Sequence, residues 1–314
     1  MASLYQRLDH GISVIDTGFG RPHFAASFLL VEGGRAAFID TGPNLALPLL
    51  LAALEQHGLA RDAVEWVIAT HVHLDHAGAV GALMRELPAA RLLIHPRGAR
   101  HMIDPTQLSE GVRAVYGAEV AARDYGEVVP VPADRIVTTT DAMTLELAGR
   151  PLHFIHTPGH AKHHHCIWDE RSSGWFTGDT FGIAYPELAT PNGPYILPTT
   201  TPTQFDPEAL HASIARLLER RPKVVYLTHY GAITEPDVLS VALLRQVDAM
   251  VDVARTLAGA QERHAKLKAA LVELYASEQR RLHTTVPTDL QQRLLEGDYE
   301  LNAQGLGVWL DGLS

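Results

Sequence analysis

The sequence predicts a mixed α/β fold. Short apolar runs of strand length alternate along the chain with longer stretches in which apolar residues have helical spacing. The chain has 314 residues, enough for one large domain with an appendage, and 46% of them are apolar, so a sizeable core can form. The charged fraction of 20% is ordinary for a folded protein and argues against a disordered chain.

The individual elements follow from this patterning. Runs of strand character occupy residues 12–16, 26–31, 36–39, 64–70, 91–95, 152–156, 164–168, 174–177 and 223–227. Helical spacing occupies residues 46–57, 77–87, 107–125 and 207–220. Gly58 and Pro88 end the first two of these helices, and Asp206 is a predicted N-cap followed at once by a proline.

The pattern changes at Pro236. Apolar residues keep helical spacing through residues 236–281, and the tail that follows is too apolar to stay in solvent. We therefore predict a helical C-terminal extension of residues 236–314 that packs on residues 1–235. We expect this extension either to cover a pocket or to form a homodimer contact, and we favour the dimer contact.

Composition narrows the classes of partner. The formal net charge is −10, and an acidic surface disfavours nucleic acid and anionic membranes, because both attract basic patches. The single cysteine, Cys166, excludes an internal disulfide and a cysteine-based zinc cluster, and we expect it to be buried. The N-terminus lacks the pattern of a signal peptide, and no apolar run approaches the roughly 20 residues of a membrane span. We expect a cytoplasmic protein with a small-molecule substrate, and neither nucleic acid nor a membrane as partner.

Histidine is frequent and clustered. The chain has 18 histidines, of which six lie between His153 and His165 and three lie between His71 and His76. Because imidazole is the commonest metal ligand in proteins, these clusters predict a metal site. Either cluster alone has simpler explanations, since surface and core histidines are common.

The loop 71–76 is the more informative cluster. It reads His71-Val72-His73-Leu74-Asp75-His76 and directly follows the predicted strand 64–70. The first two histidines can share a face in extended geometry, whereas Asp75 and His76 can face a second point after the chain turns. Four ligands in six residues suit two metal ions better than one, because closing a single tetrahedral site with so short a loop would be strained.

Three further candidate ligands each lie just beyond a predicted strand: His160, Asp179 and His229. Taken singly, each is typical of a turn. Together they lie where an α/β sheet presents its functional loops.

These residues together resemble the metallo-β-lactamase superfamily. Its His-x-His-x-Asp-His motif matches residues 71–76, its later ligands match His160, Asp179 and His229, and its early aspartate matches Asp40. The resemblance covers about residues 10–232. The sequence around His160 and the stretch 95–105 is similar to one glyoxalase-II-like subgroup, whose members mostly have no defined substrate.

The resemblance implies an αββα sandwich, with residues 1–235 as its catalytic domain and two metal ions at one sheet edge. It implies a first ion held by His71, His73 and His160, and a second held by Asp75, His76 and His229. It also implies that Asp179 bridges the two ions and that Asp40 orients ligands through hydrogen bonds.

The implied activity is hydrolysis. Two divalent cations about 3.5–4 Å apart hold a bridging water and lower its pKa, so that a hydroxide attacks a small ester, thioester or lactone. Zinc suits ligands that are all nitrogen and oxygen, and iron or manganese is compatible. The candidate catalytic residues are Asp75, which accepts a hydrogen bond from the nucleophile, the bridging Asp179, and Tyr230, a proton donor next to His229.

Other activities stay open at this point. A mononuclear iron persulfide dioxygenase, which is an oxidoreductase, shares the fold and most of these side chains. A phosphodiesterase or nuclease is disfavoured by the acidic balance and the lack of an inserted domain. Tyr185 and Tyr195 are further candidates for lining the pocket. No role follows from the sequence for His101, His163, His164 or His165.

Overall fold

The computed structural model describes residues 5–191, 193–200, 203–282 and 286–313. The strands are β1 (Tyr5–Arg7), β2 (Ile12–Asp16), β3 (Ala26–Glu32), β4 (Arg35–Ile39), β5 (Val64–Ala69), β6 (Arg91–Ile94), β7 (Ile136–Thr138), β8 (Thr144–Leu147), β9 (Arg150–His156), β10 (His165–Asp169), β11 (Gly174–Gly178), β12 (Val224–Leu227) and β13 (Gly231–Thr234). The helices are α1 (Leu47–Gln56), α2 (Leu74–Ala77), α3 (Val80–Glu86), α4 (Pro96–Ile103), α5 (Thr106–Tyr116), α6 (Ala118–Val120), α7 (Pro207–Leu218), α8 (Pro236–Thr256), α9 (Arg263–Arg281) and α10 (Thr288–Asp311).

The chain forms two compact units that alternate along the sequence. Unit 1 comprises Met1–His156, His163–Gly178 and Lys223–Ala232, and unit 2 comprises Thr157–Lys162, Asp179–Pro222 and Ile233–Ser314. The predicted division at residue 235 stays a prediction. Within the described part of the chain, no helix is both long enough and apolar enough to cross a membrane.

Two sheets form the framework of unit 1. The first has seven strands in the order β1-β2-β3-β4-β5-β6-β7, antiparallel up to β4 and parallel from β4 to β7. The second has six strands in the order β13-β12-β11-β10-β9-β8, and within it β11 and β12 run parallel. The predicted mixed α/β class is therefore confirmed.

The sheets face each other across an apolar layer. Phe28 of the first sheet meets Phe176 and Tyr226 of the second, with ring centroids 5.2 and 5.7 Å apart. Successive residues of a strand point to opposite faces. In β4, Ile39 therefore joins this layer, whereas Phe38 points to the other face and packs in a second cluster with residues of α1 and α3. Unit 1 thus has a helix–sheet–sheet layering.

The structure corrects two of the predicted helices. The helix expected over 107–125 is broken, because Gly117 adopts a φ of +85° after α5, and residues Ala121–Tyr125 form a π-helical turn. The helix expected over 77–87 is preceded by the short α2 and starts only at Val80. The sequence analysis also missed β1, β7, β8 and β13, each of which is only three or four residues long.

Helices dominate unit 2. Helices α8 and α9 confirm the helical pattern expected over 236–281, and the apolar tail forms α10. Tyr275 of α9 stacks on Tyr299 of α10 at 5.6 Å, and the Asn302 side chain donates a hydrogen bond to the Tyr275 hydroxyl at 2.7 Å. The tail is therefore held by packing within unit 2.

Candidate metal centre

The loop 71–76 starts where β5 ends inside unit 1. Residue 73 is extended, with φ −62° and ψ 145°, and α2 begins at the next residue, so the chain turns within the motif. His71 and His76 are fully buried. Nε2 of His71 lies 2.7 Å from Nδ1 of His73, and the rings of His71 and His76 are 4.0 Å apart.

Asp40 links the ends of three strands beneath this loop. It follows β4, it is fully buried, and its carboxylate accepts hydrogen bonds from the backbone and the hydroxyl of Thr70, at the end of β5. The same carboxylate accepts a bond from Nδ1 of His76 and from the hydroxyl of Thr228, at the end of β12, both at 2.8 Å. Its backbone adopts φ +54°, a left-handed conformation that aspartate tolerates better than most residues.

Two hydrogen bonds through Thr70 link His71 to Asp40. The Thr70 hydroxyl donates to Asp40, so its oxygen is available to accept a hydrogen bond from Nδ1 of His71 at 3.1 Å. The Nδ1 of both His71 and His76 thus has an acceptor and carries the proton. Each ring consequently presents its Nε2 lone pair, which is the form that binds a metal ion.

Asp75, His76 and His229 come together in unit 1. Each offers one ligand atom, and these atoms lie within 4.8 Å of one another. One carboxylate oxygen of Asp75 is 3.2 Å from Nε2 of His229 and 3.7 Å from Nε2 of His76. Ligand atoms of a tetrahedral zinc ion are about 3.4 Å apart when its bonds are 2.0–2.2 Å long. The spacing of this set therefore fits a metal ion.

His229 is fixed in the same way as His76. Its Nδ1 donates to the backbone oxygen of Phe24 at 2.6 Å, so its Nε2 also presents a lone pair. The backbone of the preceding residue, Thr228, accepts a bond from the amide of Ala26 at 2.8 Å. The start of β3 therefore holds the chain that carries this ligand.

His160 and Asp179 form a pair within unit 2. Nε2 of His160 lies 3.2 Å from a carboxylate oxygen of Asp179, and Nδ1 of His160 donates to the backbone oxygen of Thr199 at 3.2 Å. The residue before this histidine must be glycine. Gly159 has φ +132°, and a Cβ there would lie 2.4 Å from the backbone of Leu210.

The neighbouring histidines have distinct surroundings. His164 stacks on His71 at 4.8 Å, and the ring of His163 is 5.6 Å from that of His73. His101 is 6.4 Å from His163, and its pKa is lowered by burial and by Arg100. His163 and His164 therefore adjoin the motif, and His101 adjoins His163.

His165 and Cys166 belong to the core. Both are fully buried. The hydroxyl of Thr139 hydrogen-bonds with Nδ1 of His165 at 2.9 Å, and burial lowers the pKa of His165 to about 3, with further contributions from His95 and His156. The Cys166 thiol donates to the backbone oxygen of Thr177 at 3.5 Å, which confirms the expected buried cysteine.

The three tyrosines are placed differently from one another. Tyr230 is half-buried, and its ring lies 5.0 Å from that of His23. The Tyr185 hydroxyl donates a hydrogen bond to the Asp298 carboxylate at 3.2 Å, and the Tyr195 hydroxyl donates one to the backbone oxygen of Tyr275 at 3.0 Å, both within unit 2. That these two residues line a pocket stays a prediction.

The sequence analysis missed a row of aromatic rings that starts at His229. Phe24 lies 5.3 Å from His229, Phe19 lies 5.5 Å from Phe24, and Tyr125 lies 5.1 Å from Phe19. Phe19 and Phe24 belong to the connection between β2 and β3, about 100 residues from Tyr125 along the chain. No local pattern links them, so only the folded chain reveals the row.

The comparisons with known proteins decide the family. The family model of the Metallo-beta-lactamase superfamily matches residues 20–229. The chain belongs to this superfamily. The solved structure of ST1585, an archaeal metallo-β-lactamase superfamily protein from Sulfolobus tokodaii, covers 95% of this chain and 99% of its own, with a TM-score of 0.66 and 22% identity. This likeness confirms the superfamily fold.

Curated relatives match over shorter stretches. The metallo-β-lactamase fold-containing protein ST1585 of Sulfurisphaera tokodaii is 27% identical over 55% of this chain and 63% of its own length. A hydroxyacylglutathione hydrolase of Anaeromyxobacter dehalogenans is 33% identical over 43% of this chain and 46% of its own. An atrochrysone carboxyl ACP thioesterase of Aspergillus fumigatus is 26% identical over 49% of this chain and 39% of its own length. This chain thus spans less than two thirds of each of these curated relatives.

Proposed function

We propose that this chain is a dinuclear, metal-dependent hydrolase that cleaves a small ester, thioester or lactone. The observation that carries the proposal is the cluster of Asp75, His76 and His229, whose ligand atoms lie within 4.8 Å of one another. Relatives named as a hydroxyacylglutathione hydrolase and as a thioesterase support hydrolysis of an acyl compound.

The remaining candidate ligands supply the other half of the proposed centre. By the ligand order of the superfamily, His160 and Asp179 would complete a first set with His71 and His73. Asp179 would also serve the second set, which consists of Asp75, His76 and His229. All seven are imidazoles or carboxylates, a donor set that suits zinc and is compatible with iron or manganese.

The chemistry follows from this donor set. Two divalent cations held by these residues would polarise the substrate carbonyl and lower the pKa of a water molecule. The side chain of Asp75 is 23% exposed, so one of its oxygens would accept a hydrogen bond from the attacking water. Tyr230, half-buried next to His229, would donate a proton to the leaving group.

A screen of metal-loaded protein tests this proposal. Protein loaded with zinc, manganese or iron is assayed on thioesters, lactones and phosphodiesters, and oxygen uptake is followed with a persulfide. We expect hydrolysis of an acyl substrate that falls at least about 100-fold in Asp179→Ala and in His71→Ala. The exposed His264→Ala variant is the matched control and keeps its activity.

The outcomes separate the competing functions. Turnover of a persulfide with oxygen uptake and one iron per chain would replace the hydrolase with a dioxygenase. Cleavage of phosphodiesters alone would replace it with a nuclease or phosphodiesterase. Full acyl turnover by Asp179→Ala would contradict the role given to that residue.

A further inference from the structure

A cavity of about 450 Å³ opens in unit 1 beside Leu74, the residue directly before Asp75. Helix α5 and the π-helical turn Ala121–Tyr125 contribute to its walls. Pockets that hold small molecules have volumes of roughly 300–1,000 Å³. The cavity is therefore large enough for part of a substrate.

The buried floor of this cavity is apolar. Leu74, Tyr125 and Val128 are buried in it as one hydrophobic cluster, and Val112 of α5 packs against them. The charged residues that line it, such as Glu110 and Arg113, are exposed, so their charged groups lie toward solvent. The floor of the cavity therefore favours an apolar part of a ligand.

The aromatic row starts at the candidate ligand His229 and ends at Tyr125, which lines the cavity. It runs from His229 through Phe24 and Phe19 to Tyr125, with each pair of neighbouring ring centroids 5.1–5.5 Å apart. Leu74 lines the cavity, and the next residue of α2 is the candidate ligand Asp75. The cavity therefore neighbours the candidate metal centre along the chain.

We propose that this cavity binds the acyl chain of the substrate, a linear apolar chain of roughly six to ten carbons in a pocket of this size. The inference rests on the proposed hydrolysis of esters or thioesters and names the acyl group that is cleaved. Burial of one methylene is worth about 0.8 kcal/mol, which corresponds to about a fourfold increase in kcat/KM for each added methylene. Short acyl groups would leave the cavity unfilled.

A chain-length series tests this inference. Acyl thioesters of N-acetylcysteamine from acetyl to decanoyl are assayed with the metal-loaded protein. We expect kcat/KM to rise about fourfold per methylene up to octanoyl in the wild type. Ser109→Trp, which fills the cavity from α5, abolishes this rise. Ala114→Trp, on an exposed position of the same helix outside the lining, keeps the rise.

A binding measurement separates the cavity from the catalytic proposal. The thioether S-octyl-N-acetylcysteamine, which cannot be hydrolysed, is titrated calorimetrically into the metal-loaded protein. We expect binding to the wild type and to Ala114→Trp, and at least tenfold weaker binding to Ser109→Trp. If Ser109→Trp does not fold, Ala122→Phe fills the cavity from the π-helical turn and must show the same loss.

The two proposals fail in different ways. Thioether binding that Ser109→Trp weakens, without hydrolysis of any acyl compound, would overturn the proposed function and would leave the cavity only as a binding site for an apolar chain. Hydrolysis that is independent of chain length, or that Ser109→Trp reduces equally for all chain lengths, would overturn the acyl-chain assignment alone.

Discussion

The carboxylate of Asp40 accepts a hydrogen bond from Nδ1 of His76 at 2.8 Å, and both side chains are fully buried. The same carboxylate is bonded to Thr70, whose hydroxyl is bonded to His71. One residue at the end of β4 therefore sets the orientation of a candidate ligand in each half of the proposed centre. Such partners of metal-binding histidines fix the tautomer and raise the basicity of the ligand.

We predict that Asp40→Asn weakens metal binding by about 10–100-fold. The amide replaces an anionic acceptor with a neutral one, and asparagine also tolerates the φ of +54°. Zinc affinity is measured by competition with a chelator, with Asp134→Asn, an exposed substitution, as the control. Unchanged affinity in Asp40→Asn would remove this residue from the metal centre.

We expect Gly159→Ala to lower the free energy of unfolding by about 3 kcal/mol or more, because the substitution combines a strained φ with overpacking. The added Cβ would lie 2.4 Å from the Leu210 backbone. Gly149→Ala is the matched control, since Gly149 also has a positive φ of +85° but has no atom within 4 Å of the added carbon. Urea denaturation compares the two variants, and equal losses would show that the close approach to Leu210 costs nothing.

The buried ion pair of Arg150 and Asp169 gives a further prediction. Arg150 donates to the Asp169 carboxylate through Nε at 2.7 Å and through a terminal guanidinium nitrogen at 2.5 Å. The side chains are 1% and 0% exposed. Arg150→Met leaves a buried carboxylate without its cation and lowers the free energy of unfolding by about 3–5 kcal/mol.

The control for this prediction is an exposed ion pair. Arg293→Met breaks the contact with Asp289, and both of these side chains are about two-thirds exposed, at 66% and 70%. We expect this loss to stay below about 1 kcal/mol. Thermal or urea unfolding compares the two variants, and equal losses would contradict the argument from burial.

His165 makes the stability depend on pH. Its pKa falls from 6.5 to about 3 in the folded protein, mainly through burial. Between these values the unfolded chain binds the proton and the folded chain does not, so acid favours unfolding. Above pH 6.5 the protonation of His165 costs the folded protein no stability. As the pH falls from 6.5 toward 3, the free energy of unfolding decreases by about 1.4 kcal/mol per pH unit through this residue.

His165→Gln tests this pH dependence. The amide keeps a hydrogen-bonding group near Thr139 but does not titrate. Urea denaturation at pH 7, 6, 5 and 4 should give a shallower loss of stability for the variant than for the wild type. Parallel pH profiles would show that His165 does not contribute to the acid sensitivity.

Local patterns were sufficient to predict nine of the 13 strands in the described part of the chain, together with the motif loop. Residues 71–76 follow a strand directly, and consecutive residues after a strand end stay close in space, so their cluster was readable. The break in the helix expected over 107–125 could not be predicted from the sequence, because the apolar spacing continues through Gly117. In the structure, the φ of +85° at Gly117 ends α5. One glycine in a helical pattern does not distinguish a helix end from a tolerated interior position.

Tertiary packing determined what the sequence could not show. Tyr195 follows a candidate ligand strand, yet its hydroxyl bonds to the backbone of Tyr275, some 80 residues further along the chain. Phe19 and Tyr125 carry no motif, and their ring contact exists only because two distant segments pack together. The role of Asp40 was inferred from the family resemblance, since an aspartate after a strand is otherwise typical of a turn.

A dinuclear centre is defined by the number of metal ions that it holds per chain. Protein saturated with zinc and freed of excess metal is analysed by inductively coupled plasma mass spectrometry, together with His229→Gln, which removes one ligand of the Asp75, His76 and His229 cluster. We predict two ions per chain in the wild type and one in the variant. A single ion in the wild type, or two ions retained by His229→Gln, would contradict this prediction.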